Sequence, residues 1–205
     1  MAAADRRAAI LAAALEAFSS SDFHETSLEA VAERAGVSKA LIYEHFASKR
    51  ELHAAVLETY VSELLRRVIG AITAAPGGGQ RLRGGADAFL AFVEERREAW
   101  RMLVRNPEDP GVAASVARLQ QEAAAAIATL IEADAPQGDE APRERQLAIE
   151  MLAQQQVGAL RALANWWDDN RDVPREAVLK MLMEFAWLGL ERLSRGERWD
   201  AESPV

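Results

Sequence analysis

SLEAVAERAGVSKALIYEHFASKREL, residues 27 to 52, is the stretch whose reading decides the fold. Val31, Ala32 and Ala35 fall at helical spacing, and Gly36 follows where a helix C-terminus favours a residue that tolerates positive φ. Val37 is a small apolar plug, and Ser38 can cap a second helix with its hydroxyl. On that helix Ile42 and Phe46 share one face, while Lys39, Ala40, Tyr43 and Glu44 point elsewhere. Two large apolar anchors therefore hold the helix and leave its other face free. Ser48 and Glu51 have the spacing of a capping box, so a third helix starts at Lys49. A helix, a glycine turn and a second helix anchored by a few apolar residues is a device for presenting one helix to a DNA major groove.

Working outward, the pattern extends to Ile10, Ala13, Ala14 and Phe18 on a preceding helix of about residues 5–20, and to Thr26. Together with Ser27, Val31, Ala32, Ala35-Gly36-Val37-Ser38, Tyr43, His45, Phe46, Ser48, Lys49 and Leu52, these positions resemble the TetR family of one-component bacterial regulators. The resemblance implies an all-α fold of about nine helices. Residues 1–52 would form a three-helix helix-turn-helix domain, residues 53–196 a helical ligand-binding and dimerisation domain, and residues 197–205 a tail. It further implies a ligand-responsive transcriptional regulator, a repressor, which binds a palindromic operator as a homodimer and is released by a small apolar or amphipathic effector.

Position by position, the resemblance assigns Ser27, Tyr43, His45 and Lys49 to DNA phosphates, where they would set register. It assigns Glu29, Lys39, Ala40, Leu41 and Glu44 to base edges. Lys39 suits guanine O6 or N7, Ala40 and Leu41 suit thymine methyls, and a carboxylate suits cytosine N4. The family often has Gly or Pro at position 40 and Thr or Ser at 41, so readout here is more apolar. Residue type alone also allows Tyr43 as a partly buried brace and Lys39 as a solvated surface lysine.

The totals narrow the function classes. The 205 residues are half hydrophobic, enough for a sizeable core, and carry a formal charge of −8. Residues 1–52 hold eight acidic side chains against six Lys and Arg, so DNA contact must rest on a local patch, for which Arg6, Arg7, Lys39, His45, Lys49 and Arg50 are candidates. There is no cysteine, which excludes disulfides and thiolate sites. No apolar run reaches the length of a membrane span, and the N-terminus lacks a signal-peptide layout; a cytoplasmic location is expected, with no membrane partner. The histidines are His24, His45 and His53, with no His-Glu-x-x-His spacing and no Gly-rich phosphate loop. The expectation is not an enzyme, with no cofactor and no metal. A helical adaptor that binds protein alone is the competing class, and it predicts no salt-sensitive DNA binding; a DNA-binding activator without a small-molecule ligand is the other alternative.

Beyond residue 52 the chain reads as helices. One runs from Lys49 to about Ala75, broken by Pro76-Gly77-Gly78-Gly79, and another from about Gly85 to Arg105. Asp109 and Pro110 suit the N-cap and N1 of the next segment, in which short and long helices run to about Asp134. A polar loop at 135–142 precedes two last helices, about Arg143 to Asp168 and about Pro174 to Arg195. On these, Ile149, Leu152, Gln156, Leu160, Leu163 and Trp167, then Leu182, Phe185 and Gly189, form stripes expected at the interface with a second copy. Met151, Ala159, Ala162 and Trp166 extend the apolar surface around the first of the pair. Helices apolar nearly all round are buried on two sides. Phe89, Phe92, Trp100, Leu103, Met151 and Gln155 are the candidate ligand-pocket set; the same apolar spacing fits plain core, and the glutamines fit the dimer seam equally.

Overall fold

A computed structural model describes residues 3–20, 23–105, 110–134 and 141–194. Among them are nine α-helices and no strand: α1 Ala3–Ser20, α2 Leu28–Ala35, α3 Lys39–His45, α4 Lys49–Ala74, α5 Gly78–Glu95, α6 Arg97–Arg105, α7 Pro110–Asp134, α8 Pro142–Asp169 and α9 Arg175–Ser194. They group into two compact units, the first of residues 1–64 and 95–119, the second of residues 65–94 and 120–205.

In the first unit α1 packs against both α2 and α6. Ile10, Ala14 and Phe18 of α1 are buried, as their in-line spacing predicts, together with Val31 of α2, Ile42 of α3 and Leu52, Val56, Val61 and Leu64 of α4. Four residues of separation recur in these lists because one turn of helix returns a side chain to the same face. The start of α4 is fastened by rings. His53 is buried and meets Phe18 and Phe23 edge-on at 4.8 and 4.9 Å, while Phe18 and Phe23 stack at 5.9 Å.

The helices after α4 depart from their expected bounds. The predicted single helix from Gly85 to Arg105 is two helices that break at Arg96, where the chain passes from one unit to the other and Arg96 pairs with Glu63 of α4. The glycines at 77–79 do not delay α5 to residue 85 either. The Arg81 amide donates to Gly77 O at 2.7 Å and the Arg81 guanidinium to Ala75 O at 3.2 Å, which closes the first turn early. Gly85 is a packing position, since a Cβ there would sit 2.9 Å from Ile72 Cγ1 of α4. The segment expected as short and long helices is one helix, α7, beginning at Pro110. The expected N-cap Asp109, most of the 135–142 loop and the 197–205 tail lie outside the described residues.

α8 and α9 pack together and are joined through Trp167, whose indole N–H donates to Val173 O at 2.7 Å. Arg175 at the start of α9 reaches two α5 carboxylates, Asp87 at 3.2 Å and Glu94 at 3.1 Å. All three side chains are more than a third exposed, so water screens the contacts. Leu90 on the same helix is fully buried. Burial outweighs charge here. Arg175→Ala is expected to cost less than ~1 kcal/mol of stability, and Leu90→Ala about 2–5 kcal/mol, both read by urea unfolding.

Candidate nucleic-acid interface

The hairpin is built from its caps. Ser27 has extended backbone and its hydroxyl accepts from the Ala30 amide at 3.1 Å, opening α2. Gly36 ends that helix at φ 64°, ψ 33°, with its own N–H returned to the carbonyls of Ala32 and Glu33. A side chain at 36 would meet no atom within 4 Å, so the need for glycine is one of backbone alone. Ser38 then accepts from the Leu41 amide at 3.2 Å and opens α3. At α4 the hydroxyl half of the expected capping box forms, Ser48 Oγ accepting from the Glu51 amide at 3.1 Å, while the Glu51 carboxylate accepts from the amide of Ala47, one residue before the cap, at 2.6 Å.

These caps turn the two faces of α3 in opposite directions. Ile42 and Phe46 are buried, whereas Lys39, Ala40, Tyr43 and Glu44 are exposed and Leu41 and His45 half-buried. Tyr43 keeps half its surface in water. Glu29 of α2 is exposed beside them, and its carboxylate is ion-paired with the Lys39 ammonium. That hydrogen bond lowers the Glu29 pKa and raises that of Lys39. The ammonium also lies 5.8 Å from the Tyr43 ring centre. Glu29, Lys39 and Tyr43 are thus brought together from positions ten and four residues apart.

The other phosphate candidates are held by their own chain. Ser27 spends a lone pair on its cap but keeps a hydroxyl proton to donate. Lys49 is half-buried; its ammonium donates to His24 O at 3.2 Å and sits 4.5 Å above the Phe23 ring, and burial lowers its pKa. Arg7 lies 5.2 Å over the ring of Phe46, which puts one α1 cation at the end of α3. The Phe18, Phe23 and His53 cluster under Lys49 is absent from the sequence reading. The i, i+4 spacing of Lys49 and His53 is the one local signal that could have found it.

The expected pocket residues belong to both units. Of the six pocket candidates, Trp100 and Leu103 are core of the first unit and Phe92 is core of the second. Phe89 is half-buried, and Met151 and Gln155 are exposed. None lines an open groove of about 440 Å³ in the second unit between Arg83 and the Leu179, Lys180, Met183 and Trp187 side of α9. The expected dimer stripe divides likewise. Ile149, Gln156, Trp167 and Leu182 are buried, Leu152, Leu160 and Leu163 are half-buried, and the surroundings of Gly189 lie outside the described residues. Phe185 alone of that set is largely exposed. Among the described residues of these two helices, the large apolar side chains left in water are Leu147, Met151, Trp166, Met181 and Phe185. Among the described residues no three His, Asp or Glu side chains gather as a metal site, and no helix is long and apolar enough to cross a membrane.

Comparison with known proteins places the same segments in a defined lineage. Residues 10–56 match the description "bacterial regulatory proteins, tetR family", and residues 79–189 match "Tetracyclin repressor-like, C-terminal domain". The transcriptional activator FasR of Mycolicibacterium smegmatis is 32% identical over 92% of this chain and 84% of its own. The transcriptional regulator RutR of Escherichia coli is 52% identical over 52 residues, 25% of this chain and 24% of that protein. A TetR-like transcriptional regulator from Rhodococcus sp. RHA1 superposes with a TM-score of 0.78 at 28% identity, over 93% of this chain and 98% of the other.

Because the caps act separately from the burial, their contribution is measurable by itself. Ser38→Ala is expected to cost about 1 kcal/mol, and Gly36→Ala about 1–2 kcal/mol through the left-handed backbone, in denaturant unfolding followed by circular dichroism.

Proposed function

The chain belongs to the tetR family of bacterial regulatory proteins, and on that premise we propose that it reads a palindromic operator as a homodimer and answers to a small apolar or amphipathic effector. It is a helix-turn-helix transcriptional regulator and not an enzyme. In this reading residues 1–52 form the reading head, residues 53–196 carry the effector and the partner copy, and the protein works in the cytoplasm. The observation that carries it is the division of α3, with Ile42 and Phe46 buried and Lys39, Ala40, Tyr43 and Glu44 presented outward. One short helix discriminates few base pairs; two on a twofold axis read half-sites one helical turn apart.

The partner surface is the exposed stripe of α8 and α9. Leu147, Met151, Gln155, Gly158, Ala162 and Trp166 are all exposed and follow one another at three- or four-residue steps, and Ala177, Met181 and Phe185 do the same on α9. Small residues at the middle of the α8 stripe permit close approach, and each large side chain withdrawn from water contributes about 1.5–3 kcal/mol. Repression is the action that the family resemblance implies. The name of the M. smegmatis relative favours a second reading, in which the same DNA contact activates transcription. Transcription in vitro from a promoter carrying the operator separates the two by sign.

Selection of bound sequences from a random duplex pool is expected to enrich a palindrome; enrichment of nothing would overturn the operator reading. On the winning duplex, Tyr43→Phe should weaken operator and scrambled DNA by the same factor, roughly fivefold for one lost hydroxyl contact. A change confined to the operator would remove Tyr43 from the phosphate set. Met181→Glu with Phe185→Glu should give a monomer by light scattering with helix content retained, and should abolish operator binding.

A further inference from the structure

Glu29 and Lys39 are both exposed, and both were expected to face base edges, yet in the DNA-free chain each is the other's partner. We infer that Glu29 is a positioning residue that enforces sequence discrimination through Lys39. This inference rests on α3 being the reading helix. Three features of the pair support it.

The first is flexibility. A lysine carries a compact charge on a four-carbon stem and by itself engages any phosphate within reach. Such contact adds affinity without adding sequence information. The second is placement. Lys39 is the first residue of α3, directly after its Ser38 cap, so its backbone is fixed while its stem is free to swing. Glu29 approaches from α2 and the Tyr43 ring from one turn along α3, and together they confine the ammonium beside the outward face. The third is charge. The pair has no net charge, so the ammonium's attraction for the phosphate backbone is cancelled locally while the carboxylate holds it. An ammonium has three N–H donors, so Lys39 can keep Glu29 on one and offer the others to a guanine edge, whose two acceptors lie at fixed positions on the groove side. A base edge lacking that acceptor pair gains nothing from the held ammonium, and the phosphates lie beyond its tethered reach. Discrimination thus comes from a carboxylate that keeps the ammonium on the groove side and away from phosphate.

The test is a pair of affinities, for the selected operator and for a scrambled duplex, measured over a series of salt concentrations. The proteins are wild type, Glu29→Gln, Lys39→Gln and the double variant. Glu29→Gln should tighten scrambled DNA roughly fivefold and steepen its salt slope by about one, as one more cation becomes free for phosphate. Operator binding should change less than twofold, so the specificity ratio falls roughly fivefold. In the Lys39→Gln background the same Glu29 change should leave the ratio within about twofold, as required of a residue acting through its partner. Equal tightening on both duplexes would make Glu29 a plain surface charge and overturn the inference. A ratio that falls equally without Lys39 would make Glu29 a direct base reader, with the same consequence. If wild type itself prefers no duplex, the operator reading fails and this inference with it; if wild type discriminates and Glu29→Gln leaves the ratio unchanged, only the inference fails.

Discussion

Burial of Ile42 and Phe46 is the constraint on which the reading head depends. α3 has seven residues, far fewer than an isolated helix needs to persist in water. It exists because two large apolar side chains, one turn apart, leave solvent together and because Ser38 caps its first turn. Once those two are fixed, the outward direction of Lys39, Ala40, Tyr43 and Glu44 follows from the pitch of the helix with no further choice. The left-handed residue at Gly36 sets how the chain enters α3, and so ties the orientation of the outward face to one backbone angle.

The platform beneath has the same economy. α1 contributes Ile10, Ala14 and Phe18 to the core, and Phe18 then anchors the ring cluster that holds His53 and the first turn of α4. Lys49 crowns that cluster through Phe23 and the His24 carbonyl. Its ammonium therefore braces the hairpin in the free protein, and any phosphate contact by Lys49 draws on a group already partly desolvated. An acidic chain in this way gathers a few cations, Arg7 and Lys39 among them, around one helix. Placement overrides the total, because charges beyond a Debye length are screened while those at the surface of α3 are not.

In the second unit the deciding effect is again which face meets water. α9 has three: Val178, Leu182 and Ala186 inward, the Leu179, Met183 and Trp187 side along the groove, and Ala177, Met181 and Phe185 outward. A helix with only narrow polar ridges among these faces has more apolar surface than one unit can cover.

The sequence by itself determined the helices of the hairpin, its caps and its two anchors, because capping and helical spacing are set by residues within four positions of one another. It also determined the all-helical class and, through the resemblance, the family. Only the tertiary structure decided the rest. Periodicity told that α8 and α9 carry more than one apolar stripe, but spacing gives the angle between stripes and not which of them finds a neighbour. Ile149, Trp167 and Leu182 therefore went inward, and Met151, Trp166 and Met181 stayed outside. Gly85 read as the start of a helix and serves as a point of close approach to Ile72, a fact about another helix. The break at Arg96 has no proline or glycine to announce it and falls where the chain changes units. The pairing of Glu29 with Lys39 bridges two helices across a turn, and its existence depends on the angle between them, which no local pattern of residues encodes.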